Sequence, residues 1–380
     1  MRSTVAVIDL DALRWNFSVI RRRVGDARIL AMVKANAYGH GMLEVSKALV
    51  DVGVDMLGVA FVDEGVRLRE AGLTLPIMVL TPIEQQEVHA VIRYDLMTVA
   101  CDRDQVRALG QAALAAGTTA TVHVYVDTGM NREGVRPEHA VAFVRDVDAM
   151  PGIVATGILT HFSSADTPHD AHLAAQRDAF AAVVASVHAA GRRFDDVHMA
   201  NTAAIWNDHH THGTIVRPGL SLYGYAAAAD DVMTLRPVMS IVTRVLSKRR
   251  IHAGETVSYG RRWMATNATT IVTIPIGYGD GYLRSCSGRA WCLIHGKRYP
   301  IVGTICMDEC MVDVGDDLVD IGDDVVLIGR QATSDGHVNS IDATDIAAWA
   351  GTIPYEVTTA VSARVPRRYL PATTVMPSNE

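Results

Sequence analysis

The chain has 380 residues, 49% of them hydrophobic and 20% charged, and a formal net charge of −7. That balance suits a globular chain with ample core, and the acidic charge without a long basic run argues against nucleic acid or an anionic membrane surface as a partner. The richest apolar stretch, Ala179 to Ala190, is broken by Ser186 and His188 and reads as a buried helix, not a bilayer span. Asp9 and Asp11 interrupt the region after Arg2, so no signal-peptide core forms. The five cysteines, Cys101, Cys286, Cys292, Cys306 and Cys310, form no CxxC pair. Reduced thiols in a cytoplasmic protein are expected, and Cys306 with Cys310 lacks the second pair that a zinc site needs.

In chain order, short apolar runs begin near Arg28, Asp55, Pro76, Leu96, Thr121, Ile153, Val197 and Thr214. Helical spacings separate most of them, such as Val66-Leu68-Ala71 and Val106-Leu109-Ala113, and Gly53, Gly72, Gly110, Gly117 and Gly191 stand where helices should end. Eight strands alternating with helices predict an α/β fold with a TIM-type (β/α)8 barrel over residues 1–238. From about Met239 the runs shorten and become rich in β-branched residues: Ser240–Leu246, Thr269–Ile274, Arg289–Ile294 and Asp324–Ile328. Turn signals at Ala253-Gly254, His295-Gly296 and Gly322-Asp323 separate them, so 239–380 reads as a C-terminal, mainly antiparallel β domain. The first ten or so residues of the chain are candidates for packing with that β domain. A helix is expected over Ala343–Ala350, and a frayed tail from about Pro371.

Polar residues gather where the barrel strands should end, which is where barrel enzymes place their chemistry. Lys34 follows Ile29–Val33, Arg132 follows Val124–Asp127, and His161 follows Ile158–Thr160. Asn201 and Thr202 follow His198–Ala200, and Arg217 follows Ile215-Val216. Any one of these alone is more simply a solvated loop residue or a structural ion pair; their convergence on one mouth makes the site. Lys34 is the sharpest case, because a lysine straight after five apolar residues can be desolvated, and a neutral amine adds to an aldehyde.

The run Val33-Lys34-Ala35-Asn36-Ala37-Tyr38-Gly39-His40-Gly41 resembles the pyridoxal-phosphate (PLP) attachment motif of alanine racemases. The resemblance continues in order through Asp127–Arg132, Thr160–Phe162, Ala200–Ala204, Arg217–Gly224, Val257–Gly260, Gly277–Tyr282, Gly303–Asp308, Pro354–Glu356 and Arg364–Arg367. It implies a barrel plus a C-terminal β domain, and a homodimer with shared sites that interconverts L- and D-alanine. Lys34 would hold PLP and serve as one base, and Tyr259 of the partner subunit as the other, on the opposite face of Cα. A free tyrosine loses its proton only near ~10, so such a base needs help, which the resemblance assigns to His161 and Arg217. Arg217 would face the ring nitrogen, where a permanent donor makes the ring a weaker electron sink. Tyr38, Asn201, Thr202, Gly219, Leu220 and Tyr355 match cofactor-binding positions, Arg132 and Met307 substrate-carboxylate positions, and Tyr278 the substrate entryway.

Two departures stand out. Many relatives carry a carbamylated lysine two residues before the Asp127 position, where this chain has Tyr125, and Gly213-Thr214 replaces a more usual bulky-acidic pair. Strand alternation puts His123, Tyr125 and Asp127 on one face, so the phenol can hydrogen-bond Arg132 or a water beside it. The rival readings are a racemase for serine or another small amino acid, a decarboxylase on the same architecture, and a non-catalytic PLP-binding protein. Arg217 speaks against the second, and the C-terminal domain with Tyr259 and Met307 against the third. His209, His210 and His212 read as a surface loop, and no metal is expected.

Overall fold

A strand of four residues, β1 (Val5–Ile8), precedes eight that close a parallel barrel in the computed structural model, which describes residues 2–167, 170–226 and 235–370. The barrel strands are β2 (Arg28–Met32), β3 (Met56–Val59), β4 (Ile77–Val79), β5 (Met97–Ala100), β6 (Ala120–Tyr125), β7 (Ile153–Leu159), β8 (Asp196–His198) and β9 (Ile215–Val216). Each pairs in parallel with the next, and β2 pairs with β9 to close the ring. Their apolar residues are buried almost throughout, as expected for strands covered on both faces.

The helices between strands are set by local chemistry. Asp102 caps Arg103–Ala115 by accepting from the amides of Asp104 and Gln105, and Asp170 caps Ala171–Ala189 through the His172 amide. Gly53, Gly72, Gly117 and Gly191 do follow helices, at positive φ. Gly110 does not: it lies inside Arg103–Ala115, and a Cβ there would come within 2.6 Å of the Pro151 carbonyl oxygen and 3.1 Å of Ile153. That glycine is required by close helix–strand packing and not by chain reversal.

The chain divides into two compact units: Leu13–Ala37 with Met42–Arg236, and Met1–Ala12 with Tyr38–Gly41 and Pro237–Glu380. In the second unit β1 pairs antiparallel with Met239–Arg244 and parallel with Arg367–Tyr369. The sheet continues through Asp324–Ala332, Trp291–Ile294, Lys297–Val302, Cys310–Gly315, Thr269–Ile274 and Ser247–Ile251, all antiparallel. The late helix spans Ala343–Ala350, capped by Asp342. The tail expected from Pro371 lies outside the described residues. Among the described residues no helix is long and apolar enough to cross a membrane.

Candidate active site

Lys34 stands two residues past the end of β2 and opens an unusual turn. Ala35, Asn36, Ala37 and Tyr38 all have left-handed backbone, with φ of 51°, 55°, 55° and 52°. None is glycine, and L-residues there are disfavoured by roughly 1–2 kcal/mol each. The turn is held from outside: the Ala35 amide donates to Glu64 Oε1 at 2.6 Å, and the Met42 amide to Asn36 Oδ1 at 2.9 Å. Glu64, 9% exposed, also accepts from the Ala60 and Phe61 amides through Oε2, at 2.8 and 3.3 Å. Burial lowers the Lys34 pKa, and the Arg132 charge lowers it further against the pull of Glu64 and Glu133. The amine is therefore neutral more often than a surface lysine's.

Arg217 follows β9 and is 4% exposed. Its Nη1 donates to His198 Nδ1 at 3.0 Å. Its Nη2 reaches the carbonyls of Thr160 at 2.7 Å and Met199 at 3.1 Å, and His161 Nδ1 at 3.2 Å. Burial foremost, then the charges of Arg217, Arg132 and Lys34, holds the His161 pKa down to about 3. A neutral His161 that accepts at Nδ1 must carry its proton on Nε2 and offer it there. Arg217 itself is lowered to about 10 by burial and remains a cation at neutral pH.

Arg132 is held by an ordered turn. Asp127 Oδ1 accepts from the amides of Gly129 and Asn131, each at 3.0 Å, and the Thr128 and Thr160 hydroxyls lie 2.8 Å apart. The Tyr125 phenol lies near enough to Arg132 to feel its charge. Burial raises the Tyr125 pKa, with Arg217 and Arg132 opposing, so the partner of Arg132 is a neutral phenol. Arg132 Nε also lies 3.7 Å from Glu133 Oε2.

On the same barrel, the Gly219 amide donates to Thr202 Oγ1 at 2.9 Å, and Leu220 begins the turn Leu220–Tyr223. Asn201 caps Thr202–Asn207 through the Ala204 amide, at 3.1 Å, and so positions the Thr202 hydroxyl. The remaining candidates belong to the other unit. Tyr38 is buried, with its ring 5.9 Å from that of Tyr355, and burial raises its pKa. Gly39 packs so tightly that a Cβ would lie 2.0 Å from the Thr358 carbonyl oxygen. Tyr259 is 72% exposed on a turn whose neighbours Ser258, Gly260 and Arg261 all have positive φ. Its carbonyl accepts from Thr304 Oγ1 at 2.8 Å, which pins the turn. Tyr278 and Met307 are exposed and lie on two loops joined by the amides of Tyr278 and Gly279, which donate to the Cys306 and Met307 carbonyls.

Glu64, His123 and His198 gained no role from sequence. Each acts through a partner distant in the chain, and only the place of His198 near a strand end offered a signal. At the histidine loop, Asp208, His209 and His210 bring ligand-type atoms within 4.8 Å of one another, but Asp208 Oδ2 is already paired with Arg177 at 2.8 Å.

Lys34, Arg132 and Arg217 act on one another or on His161 electrostatically, so the mouth is cationic and suits an anionic occupant. A phosphate takes amides and hydroxyls of the kind gathered at Thr202, Gly219 and Leu220. The donor set fits PLP. Fold and site together suit a barrel enzyme whose cofactor is a phosphorylated aldehyde.

Residues 8–227 match the family model of the alanine racemase N-terminal domain, and residues 238–369 that of the alanine racemase C-terminal domain. The alanine racemase of Halothermothrix orenii is 39% identical over 379 residues, covering 97% of both chains. The alanine racemase structure from D-cycloserine-producing Streptomyces lavendulae superposes with a TM-score of 0.92 at 32% identity, covering 98% of each chain. That from Bartonella henselae, with covalently bound pyridoxal phosphate, gives 0.87 at 26% identity, covering 97% of this chain and all of its own. The chain belongs to the alanine racemase family.

Proposed function

We propose that this chain interconverts L- and D-alanine with PLP as cofactor, using Lys34 and Tyr259 as opposed acid–base groups. The observation that carries the reading is the Lys34 amine, half-buried with a lowered pKa at a cationic barrel mouth. Lys34 would hold the cofactor, Thr202 with the amides of Gly219 and Leu220 its phosphate, together with Tyr38 and Tyr355, and Asn201 would support Thr202. Bound there, the cofactor supplies an electron sink that weakens the Cα–H bond of the amino acid. Arg217, a donor at every nitrogen, would face the ring nitrogen and keep it unprotonated.

Racemisation takes a proton from one face of Cα and returns one to the other, so two opposed groups suffice. Lys34, more readily neutral than a surface lysine, can take the proton on its own face. The second group would be the partner subunit's Tyr259, whose exposure on a pinned turn is what a side chain serving another chain's site needs. His161, its Nε2–H directed by Arg217, can donate to a phenolate oxygen and stabilise it. Arg132 and the Met307 amide would hold the substrate carboxylate, and Tyr278 would line the entry. A homodimer with shared sites and a cytoplasmic location belong to the same proposal.

The test is to incubate the purified enzyme with a panel of L-amino acids and assay for D-enantiomer and amine. D-alanine as the main product supports the reading. D-serine as the main product would move the substrate, amine would point to a decarboxylase, and no product from any substrate would point to a PLP-binding protein.

A further inference from the structure

The core of a parallel barrel is ordinarily filled by layers of branched apolar side chains. Here two fully buried histidines occupy it, His123 in the middle of β6 and His198 at the end of β8. Their rings meet edge to face, with His123 Nδ1 2.8 Å from His198 Nε2. His123 Nε2 makes no hydrogen bond but lies 3.4 Å from Asp196 Oδ2, within reach of its charge, and Asp196 opens β8, at the end of the barrel opposite Arg217. Asp196 is in turn paired with Arg28 at the start of β2. The barrel makes room for this line: Gly157 of β7 faces His123, and a Cβ there would come within 2.5 Å of the ring.

The chemistry of the donors fixes the direction of every bond. Arginine cannot accept, so His198 Nδ1 must accept from Arg217. His198 must then carry its proton on Nε2 and donate it to His123 Nδ1. His123, accepting at Nδ1, must carry its own proton on Nε2, facing the Asp196 carboxylate. Both rings are neutral: burial foremost, then the Arg28 and Arg217 charges, puts His123 at about 3, and burial sends His198 well below its ordinary value. An anion at one end and a cation at the other polarise two imidazoles in the same sense.

We propose that Asp196 is a positioning residue for the reaction: its carboxylate stabilises from the far end the His123 and His198 tautomers that Arg217 selects, and so helps hold Arg217 in the pose that presents it to the cofactor ring. The assignment rests on the proposed role of Arg217 at the ring nitrogen. Removing the carboxylate takes away the charge that favours the His123 Nε2 proton, so the Nδ1 tautomer, which opposes the His198 N–H and loosens the Arg217 end of the line, gains population.

Neutron diffraction from crystals of the perdeuterated holoenzyme reads the tautomers directly. Deuterium on Nε2 of both His123 and His198, with bare Nδ1 atoms, is expected; deuterium on Nδ1 of either ring overturns the proposal. In kinetics, Asp196→Ala should lower kcat roughly tenfold, the size of coupling usual within one hydrogen-bonded network, with KM changed less than about twofold. Asp196→Asn keeps an acceptor and should recover most of that loss, whereas Arg28→Gln removes only the ion pair and should leave kcat near wild type. Equal kcat in wild type and both Asp196 variants overturns the proposal, and so does an Arg28→Gln loss as large as that of Asp196→Ala. Should Asp196→Ala not fold, Asp196→Leu, which keeps the bulk and removes the charge, serves in its place, and a neutron map of that variant with both rings still deuterated on Nε2 alone and Arg217 unmoved overturns the proposal. The tautomers do not depend on what Arg217 faces, and borohydride fixation of PLP on Lys34 does not depend on Asp196, so the two readings fail separately.

Discussion

Replacing Glu64 by glutamine leaves its shape and removes one acceptor from the support of the Lys34 turn. The carboxylate serves three amides, those of Ala60 and Phe61 through Oε2 and that of Ala35 through Oε1. A glutamine oxygen can keep only the pair, so its NH2 must face the Ala35 N–H. One charge-assisted bond is lost, about 1.5–3 kcal/mol, and a donor is left against a donor. The left-handed conformation at Ala35, itself disfavoured by about 1–2 kcal/mol, loses its outside support. A net destabilisation of about 2–3 kcal/mol should appear as a lower urea midpoint at unchanged slope. Loosening of the turn should also lower kcat more than it raises KM, given the proposed role of Lys34 in the proton transfer. Adding Ala35→Gly should recover about 1 kcal/mol, since glycine takes this conformation freely. A Glu64→Gln midpoint within about 0.5 kcal/mol of wild type refutes the clamp, as does an Ala35→Gly change that destabilises both backgrounds equally.

Tyr125→Phe removes the neutral partner of Arg132 and should raise KM for alanine more than it lowers kcat, with wild-type activity insensitive to bicarbonate; steady-state kinetics and substrate range both unchanged would make Tyr125 mere packing. Mixing inactive Lys34→Ala and Tyr259→Phe chains should restore some activity, since one hybrid site would be wholly wild type; no rescue after verified subunit exchange contradicts the shared site. His123 and His161 sit at about 3 when folded and near the ordinary 6.5 when unfolded, so the unfolded chain binds more protons between those values and stability falls as pH is lowered through 6.5. Each should remove about 2 kcal/mol between pH 8 and pH 5, measurable by urea unfolding, and a flat profile would contradict their neutral burial.

The barrel strands were legible because burial on both faces leaves unbroken apolar runs, and each observed strand starts within one residue of the position read from sequence. Lys34 was legible for the same reason, as a charge at the end of such a run. The turn that carries it was not: Ala35, Asn36 and Ala37 hold positive φ without a glycine to mark it, and their support comes from Glu64, far along the chain. Glu64 looks like any first-turn helix acid. The buried line from Asp196 to Arg217 depends on which strands face one another, a long-range pairing that no local pattern encodes. Gly110 misled because close packing and chain reversal both call for a missing Cβ.

The assignment of Lys34 and Tyr259 to opposite faces is tested most directly by exchange of the alanine α-proton in heavy water, followed from each pure enantiomer in Tyr259→Phe. Exchange from D-alanine, the proton taken by Lys34, should survive while exchange and turnover from L-alanine are strongly suppressed. Equal loss from both enantiomers would contradict two opposed groups.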